Sequence, residues 1–407
     1  MERKTVESLL DEIDYEFERP SPPDSFPNLP RIPAGRYLDP DLFEMELGLF
    51  RRSWLIVGTV HEFPSVGSYK VVDRWGGASV VVVRGRDERL RAFWNVCQHR
   101  GAPVVRGPSG RVQGGAMRCL VHSWVYDLEG GLKSVPGRRD FHDDFDDEAV
   151  RLRGVQCDTW QGLVFINIDP EAPPLRDWLG EIANDLTWFD GLRISAEGSK
   201  VLDCNWKVAI EANIEVYHIT TVHPKTVSRG LDYRGTANKL LPNGHSRMVV
   251  PSRDYDAAAV RSAVDAADDA VEGLLEHTNV SYLLFPNHLT PGGKRVGEVP
   301  TITLQQFWPL SIDRTLSEWF TMIPDWGDRE LTDAEKNAAE IYRVLMDEDT
   351  EMLDQIQKSM QSQVLDGFLT SYHERRIYHH EASIDRMLGI ENVPEHLRVP
   401  QLLEPVR

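Results

Sequence analysis

Apolar residues near the start of the chain recur at helical spacing. Val6, Leu9, Leu10 and Ile13 share one face of "MERKTVESLLDEIDYEFERP", and charge fills the rest. The run "RPSPPDSFPNLPRIP" ends that pattern, because each proline fixes φ and removes a backbone donor. Residues 1–50 therefore read as a helical arm followed by a Pro-rich linker. From 51 to 170, short runs of strong β-propensity such as "SVVVVRG" and "GLVFINID" are separated by Gly and Asp turns, which predicts a small β domain. After "DPEAPPLRDW" the pattern changes again. Helical patterns around 205–227, 256–277 and 332–361 alternate with the strand-like "SYLLFP" and "TITLQQFW". Residues 171–407 thus read as an α+β domain, an antiparallel sheet with helices on one face.

Composition narrows function more than fold. The 407 residues suffice for two or three domains, and 41% hydrophobic with 27% charged residues argues against global disorder. A net charge of −19 disfavours nucleic acid or an anionic membrane as the main partner. The N-terminal stretch lacks an apolar signal core, and no run approaches the ~18–20 apolar residues of a membrane span. The expected location is the cytoplasm. In that reducing compartment cysteines close to histidines suggest metal before disulfide, and four cysteines are present: Cys97, Cys119, Cys157 and Cys204.

Two of them stand beside histidines. "NVCQHRGAPV" spaces Cys97 and His99 as C-x-H, and "MRCLVHSWVYDLEGG" spaces Cys119 and His122 as C-x-x-H. Zinc accepts two thiolates and two imidazoles, but structural zinc loops usually pair cysteine with cysteine. One Cys and one His on each loop suits a cluster of chemically different irons, in which imidazole lowers the negative charge and raises the potential. "CQHRG" with "CLVHSW" resembles the Rieske [2Fe–2S] motif. The resemblance implies that Cys97 and Cys119 bind one iron while His99 and His122 bind the other; Cys157 and Cys204 match nothing and read as core thiols. Between Arg84 and Arg118 eight arginines stand against only Asp87 and Glu88, a composition suited to docking an acidic electron donor.

Such a cluster moves single electrons, so a second site must use them. "NIEVYHITTVH" places His218 and His223 five residues apart, just before Pro224. Two imidazoles and a distant carboxylate make a facial triad with open positions for O₂ on Fe(II). The stretch "NWKVAIEANIEVYHITTVH" resembles the mononuclear-iron segment of the Rieske non-haem iron oxygenase α subunits. The third ligand is sought in "LMDEDTEMLDQIQKSM", on a helix opened by the capping box Thr332-x-x-Glu335. Helical neighbours of Asp349 are apolar (Tyr342, Leu345, Met346, Met352, Leu353, Ile356), whereas those of Glu348 and Asp354 include polar groups. An acid on an apolar face is costly unless paired or metal-bound, and the family pattern, seen as Glu348, Asp349, Asp354 and Gln357, selects the same Asp349.

By the same resemblance Glu215 is a bridging acid rather than a ligand. It would carry electrons from His122 of one subunit to His218 of its neighbour in a ring-shaped homotrimer, since the centres of one chain are too far apart. The family's Glu-Asn is here Glu211-Ala212, with Asn213 one position later.

The resemblance implies a Rieske domain over 51–170 and a catalytic domain of the helix-grip type over 171–407. The expected protein is a terminal oxygenase that hydroxylates an apolar aromatic or alicyclic substrate with O₂. Its electrons would come from NAD(P)H through a ferredoxin, a flavin reductase or both. Oxidative N- or O-demethylation, including quaternary amine oxidation, uses the same scaffold. The first Cys/His set taken alone would also suit a Rieske electron carrier without catalysis, or a zinc-stabilised binding protein. Residues in the region that lines pockets in the family are Tyr217, His245, Met248, Phe285, His288 and Phe307.

Overall fold

A computed structural model describes residues 1–405 apart from 75–76, 186–189, 268–269, 291–292 and 297–298. The chain forms two compact units, Phe50–Trp178 and Met1–Leu49 together with Leu179–Arg407.

In the smaller unit a seven-stranded antiparallel sheet runs in the order Leu55–Thr59, Leu163–Asn167, Gly154–Trp160, Leu90–Trp94, Val80–Arg84, Ser68–Val72, Ser109–Arg111. Its β-branched runs are the buried ones: Val80 to Val83 and Leu163 to Asn167 are closed to water. A three-stranded sheet of Met117–Arg118, Val125–Tyr126 and Leu132–Ser134 is also present. Met117, Trp124, Tyr126 and Leu128 share one core with Val81, Val83, Phe93, Cys97 and Cys119. That core anchors both Cys/His loops.

The larger unit holds an eight-stranded antiparallel sheet. Its path is Leu192–Leu202, Arg314–Pro324, Val299–Ser311, His288–Thr290, Thr278–Leu284, Ser246–Pro251, Ala237–Leu240, with Gly293–Val296 paired to Val299–Ser311. The helix Asp333–Thr350 packs on the strands Leu192–Leu202, Val299–Ser311 and Arg314–Pro324. The expected Thr332/Glu335 capping box is formed.

Three expectations need correction. Residues 1–50 are no free arm: Val6, Leu9, Leu10 and Ile13 are at most 1% exposed, and the helix Arg3–Glu18 packs on the helices Ala257–Ala266 and Ala270–His277 and on the strands Ala237–Leu240 and Ser246–Pro251. Beyond the prolines, Ile32–Pro33 pairs with Gly367–Phe368, and Tyr37 is fully buried. Proline content reports local irregularity and says nothing about tertiary partners. The helical pattern at 205–227 is only two short helices, Trp206–Glu211 and Ile219–Val222, with turns between. The third, at 332–361, breaks at Met352, whose φ/ψ of −107/0 is not helical. Residues 268–269 of the 256–277 pattern lie outside the described residues.

Candidate metal centres

The Cys/His loops are tight turns. Gly101 N donates to Cys97 O at 2.9 Å, and Gly101 has φ +76°, where a side chain would be strained. In the second loop Ser123 N donates to Cys119 O at 2.9 Å and Cys119 N to Trp124 O at 2.9 Å. These turns leave Cys97 and Cys119 buried and His99 and His122 exposed. His99 Nδ1 lies 3.1 Å from His122 Nδ1, and the His99 ring stacks on Trp124 at 4.9 Å. Tyr126 OH approaches Cys97 Sγ at 3.4 Å and accepts from Gln98 N. Burial pushes the Cys97 thiol up, partly offset by that hydroxyl.

A single tetrahedral ion would draw all four ligand atoms to within about 4 Å of one another. Among the described residues, the groups that gather three ligand atoms within 4.8 Å do not include these four. Two imidazole nitrogens at one end and two thiols at the other fit a binuclear cluster and not one zinc ion. Cys157 and Cys204 sit apart, their thiols pushed by burial up to about 12, which keeps them inert.

The second centre is built from three elements. Glu215 and His218 lie on the turns after helix Trp206–Glu211, His223 caps the short helix Ile219–Val222, and Asp349 ends the long helix Asp333–Thr350. Asp349 Oδ1 is 2.7 Å from His223 Nε2 and 3.4 Å from His218 Nε2. Two ligands about 2.1 Å from one ion and at right angles are about 3 Å apart, so the three atoms fit one metal. Burial alone would lower the His218 imidazole, but Asp349 and Glu215 outweigh it and raise the group to about 10. Burial also opposes the His223 charge, but Asp349 and Glu348 outweigh it and raise that group, and the two imidazoles hold Asp349 low against its own burial. A divalent ion would replace protons the site otherwise attracts.

Each imidazole also has a carboxylate on its other nitrogen. Glu215 Oε1 closes on His218 Nδ1, and Glu348 Oε2 is 2.7 Å from His223 Nδ1. Glu215 is 9% exposed, and its second oxygen accepts from the Tyr217 and His218 amides.

A cavity opens beside this centre. Its apolar wall includes Val216, Ile219, Val227, Leu231, Ile341 and Leu345, and the sheet contributes Met248, Val250, Asn279, Ser281, Thr301 and Thr303. Asn213 also lines it, its Oδ1 3.3 Å from Gln305 Nε2. Of the pocket residues expected from sequence, Met248 is there; Tyr217, His245, Phe285, His288 and Phe307 are not. Tyr217 points outward and is 56% exposed. His245 Nδ1 accepts from Phe285 N inside the core, Phe285 packs against His380, and His288 against Trp308. Phe307 shares the strand face of Thr303 but lies four residues, about 13 Å, further along. The places of Glu348, Asn279, Ser281, Thr301 and Thr303 at the centre were not read from sequence; for Thr301 and Thr303 the alternation in "TIT" was the available signal.

A second convergence, Glu211, His380 and Glu381, reads as a charged core. Tyr37 OH donates to Glu211 at 2.8 Å, Arg36 Nε to Glu381 at 2.5 Å, and His380 Nε2 pairs with Pro286 O at 3.0 Å. Arg36 and Lys207 already place two cations there.

Two family models match the chain: Ring hydroxylating alpha subunit (catalytic domain) over residues 185–390, and Rieske [2Fe-2S] domain over 53–151. The 2-aminobenzenesulfonate 2,3-dioxygenase subunit alpha of Alcaligenes sp is 35% identical over 52% of this chain, and the match spans only 55% of that protein. The carnitine monooxygenase oxygenase subunit of Escherichia coli is 28% identical over 81% of this chain and 84% of its own length. A solved quaternary ammonium Rieske monooxygenase shares the fold at a TM-score of 0.75, with 22% identity over 91% of this chain and 99% of that one.

Proposed function

The chain belongs to the ring-hydroxylating α subunits of the Rieske non-haem iron oxygenases, and from that premise we propose that it is a terminal oxygenase acting on a neutral, apolar aromatic or alicyclic compound. Its electrons would come from NAD(P)H through a ferredoxin, a flavin reductase or both. The observation that carries this reading is the convergence of His218 Nε2, His223 Nε2 and Asp349 Oδ1 on the wall of a largely apolar cavity. When bound, a [2Fe–2S] cluster supplies single electrons and Fe(II) supplies the chemistry of O₂. Cys97, Cys119, His99 and His122 would hold the first; His218, His223 and Asp349 would hold the second.

The remaining residues bind, orient and exclude water. Val216, Ile219 and Leu345 cover the apolar body of a substrate. Ser281 Oγ is buried without a protein partner, so it is free to bond a substituent, with Asn279, Thr301 and Thr303 around it. Burial and the Asp349 charge hold the Tyr342 phenol well up, so it stays neutral beside the centre. A sulfonate would call for a cationic partner, and none is among the described lining residues. A quaternary ammonium group would call for several aromatic faces, and Tyr342 is the sole aromatic among them.

A homotrimer with a His122–Glu215–His218 path between neighbours is part of the same reading. It is supported by apolar side chains exposed beside each centre: Leu120 and Val121 next to His122, Tyr217 and Val222 next to His218. Such surface invites cover. Among the described residues no helix is long and apolar enough to cross a membrane.

The test is metal analysis of anaerobically purified protein, then turnover. About three irons and about two acid-labile sulfides per chain, with a Rieske-type EPR signal, are expected. With a reductase and NADH, O₂ uptake should rise with neutral aromatic or alicyclic compounds and stay at background with carnitine or glycine betaine. The reverse preference would replace the substrate reading by quaternary amine oxidation, and zinc without sulfide would remove the oxygenase reading altogether.

A further inference from the structure

We infer that Glu348 is a positioning residue for the iron centre: it grips His223 from behind and fixes which nitrogen faces the metal. This rests on the reading of His218, His223 and Asp349 as ligands.

Glu348 and Asp349 are consecutive on the helix Asp333–Thr350, so their side chains leave it about 100° apart. The His223 ring lies between them. Its Nδ1 meets Glu348 Oε2 at 2.7 Å and its Nε2 meets Asp349 Oδ1 at 2.7 Å. A neutral imidazole carries one N–H and one lone pair, and either nitrogen can hold either. With Nδ1–H donated to Glu348, the lone pair must sit on Nε2, pointing at the Asp349 and His218 ligand atoms. A carboxylate on the far nitrogen also raises the donor strength of the near one.

The same Glu348 oxygen accepts from Thr226 Oγ1 at 2.7 Å. Thr226 lies on the turn that follows His223, directly before Val227, a cavity residue. One carboxylate therefore holds the ring and the backbone that carries it. Its side chain is 27% exposed, so truncating it opens no core cavity. Glu215 does the equivalent for His218 from the same stretch of chain, whereas Glu348 ties His223 to a distant helix.

Both bonds fall on one oxygen, which separates geometry from charge: the amide oxygen of Glu348→Gln can accept both, and Glu348→Ala can accept neither. The experiment is ferrous-ion affinity of the full chain with its cluster intact, read by competition with a chromogenic chelator. The Rieske EPR signal serves as the folding control. Glu348→Ala should weaken iron binding by about 10–100-fold and Glu348→Gln should restore it to within a few-fold, with the cluster signal unchanged in both. Equal affinity in wild type and Glu348→Ala overturns the proposal. So does a Gln variant as weak as Ala, which would make the effect one of charge alone. Should the Ala variant not fold, Thr226→Val, which frees that oxygen from the turn, should still weaken iron binding several-fold; unchanged affinity there also overturns it. Wild type that holds no iron beyond the cluster would instead remove the site on which the inference rests.

Discussion

Glu211 and Glu381 meet where water does not reach, and each carboxylate opposes the charge of the other. Burial pushes Glu211 well up and the neighbouring Glu381 charge pushes it the same way, which favours its protonated form. Glu381 is held down at about 2: burial opposes its charge, but Arg36 and Lys207 outweigh burial. Glu211→Gln, which replaces one neutral donor by another, should change unfolding free energy by less than about 1 kcal/mol. Glu381→Gln strips a partner from a buried guanidinium and should cost about 3–5 kcal/mol in the same denaturant titration. Equal costs would mean that the proton sits elsewhere. At this scale the convergence of His218, His223 and Asp349 was legible and the cavity lining was not. Those three residues declare themselves through residue type, spacing and, for Asp349, apolar neighbours at Tyr342, Leu345 and Met346. Met352 and Ile356, neighbours of Asp349 by helical spacing, in fact lie beyond the helix break and are 58% and 37% exposed. Pocket lining depends on which strand face meets the cavity. Met248 lines it while its neighbour Arg247 is buried against Asp185, a difference of one residue that only strand register decides.

The helix Arg375–Leu388 shows what an element can hide from periodicity. It buries Arg375, Arg376, His379, His380, Glu381 and Asp385 together with Tyr378 and Ile384, so it has no polar face of the usual kind. Several of its polar groups are met by parts of the chain remote in sequence, such as Arg376 Nε by Ser246 Oγ and Arg376 Nη1 by Ile214 O. The N-terminal helix is the contrary case: its apolar face was legible, but the strands and helices it covers were not. On the buried helix, His380 is held neutral because burial pushes its imidazole down to about 4. An unfolded histidine titrates near 6.5, so between about pH 6.5 and 4 the unfolded chain binds the proton and the folded chain does not. The His380 contribution is therefore intact above pH 6.5 and is lost as pH falls. His380→Gln, whose amide can still donate to Pro286 O, does not titrate. Its cost relative to wild type should shrink by about 2 kcal/mol between pH 8 and pH 5. Denaturant midpoints of both proteins at the two pH values check this. A gap that stays constant would mean that His380 is charged or solvated in the folded state.

For the whole molecule the surface is as informative as the sites. A chain of net charge −19 exposes Arg86, Arg89, Arg100, Arg106, Arg111 and Arg118 in the unit that carries the Cys/His loops, while Arg84 and Arg91 are paired with Glu88 and Asp87. Exposed arginines of this kind would suit an acidic electron donor. The apolar residues beside His122 and His218 suit contact between copies, and a closed ring brings unlike patches together at every interface. The proposed ring makes a prediction that no single chain can satisfy. On the proposed ligand sets a Cys97→Ser chain would lack the cluster and a His223→Ala chain the iron site, so each should be inactive alone. In a ring where every iron draws electrons from the neighbouring cluster, a His223→Ala chain can still feed a Cys97→Ser chain. Random co-assembly from equal expression pairs a competent donor with a competent acceptor at one interface in four, so about a quarter of wild-type activity should return. Simple mixing of the purified variants, without subunit exchange, should return none. If mixed rings form, as mass analysis of differently tagged chains would show, and activity stays at zero, electrons do not pass between subunits. Glu215 would then serve only to hold His218, a role its bond to His218 Nδ1 already accounts for.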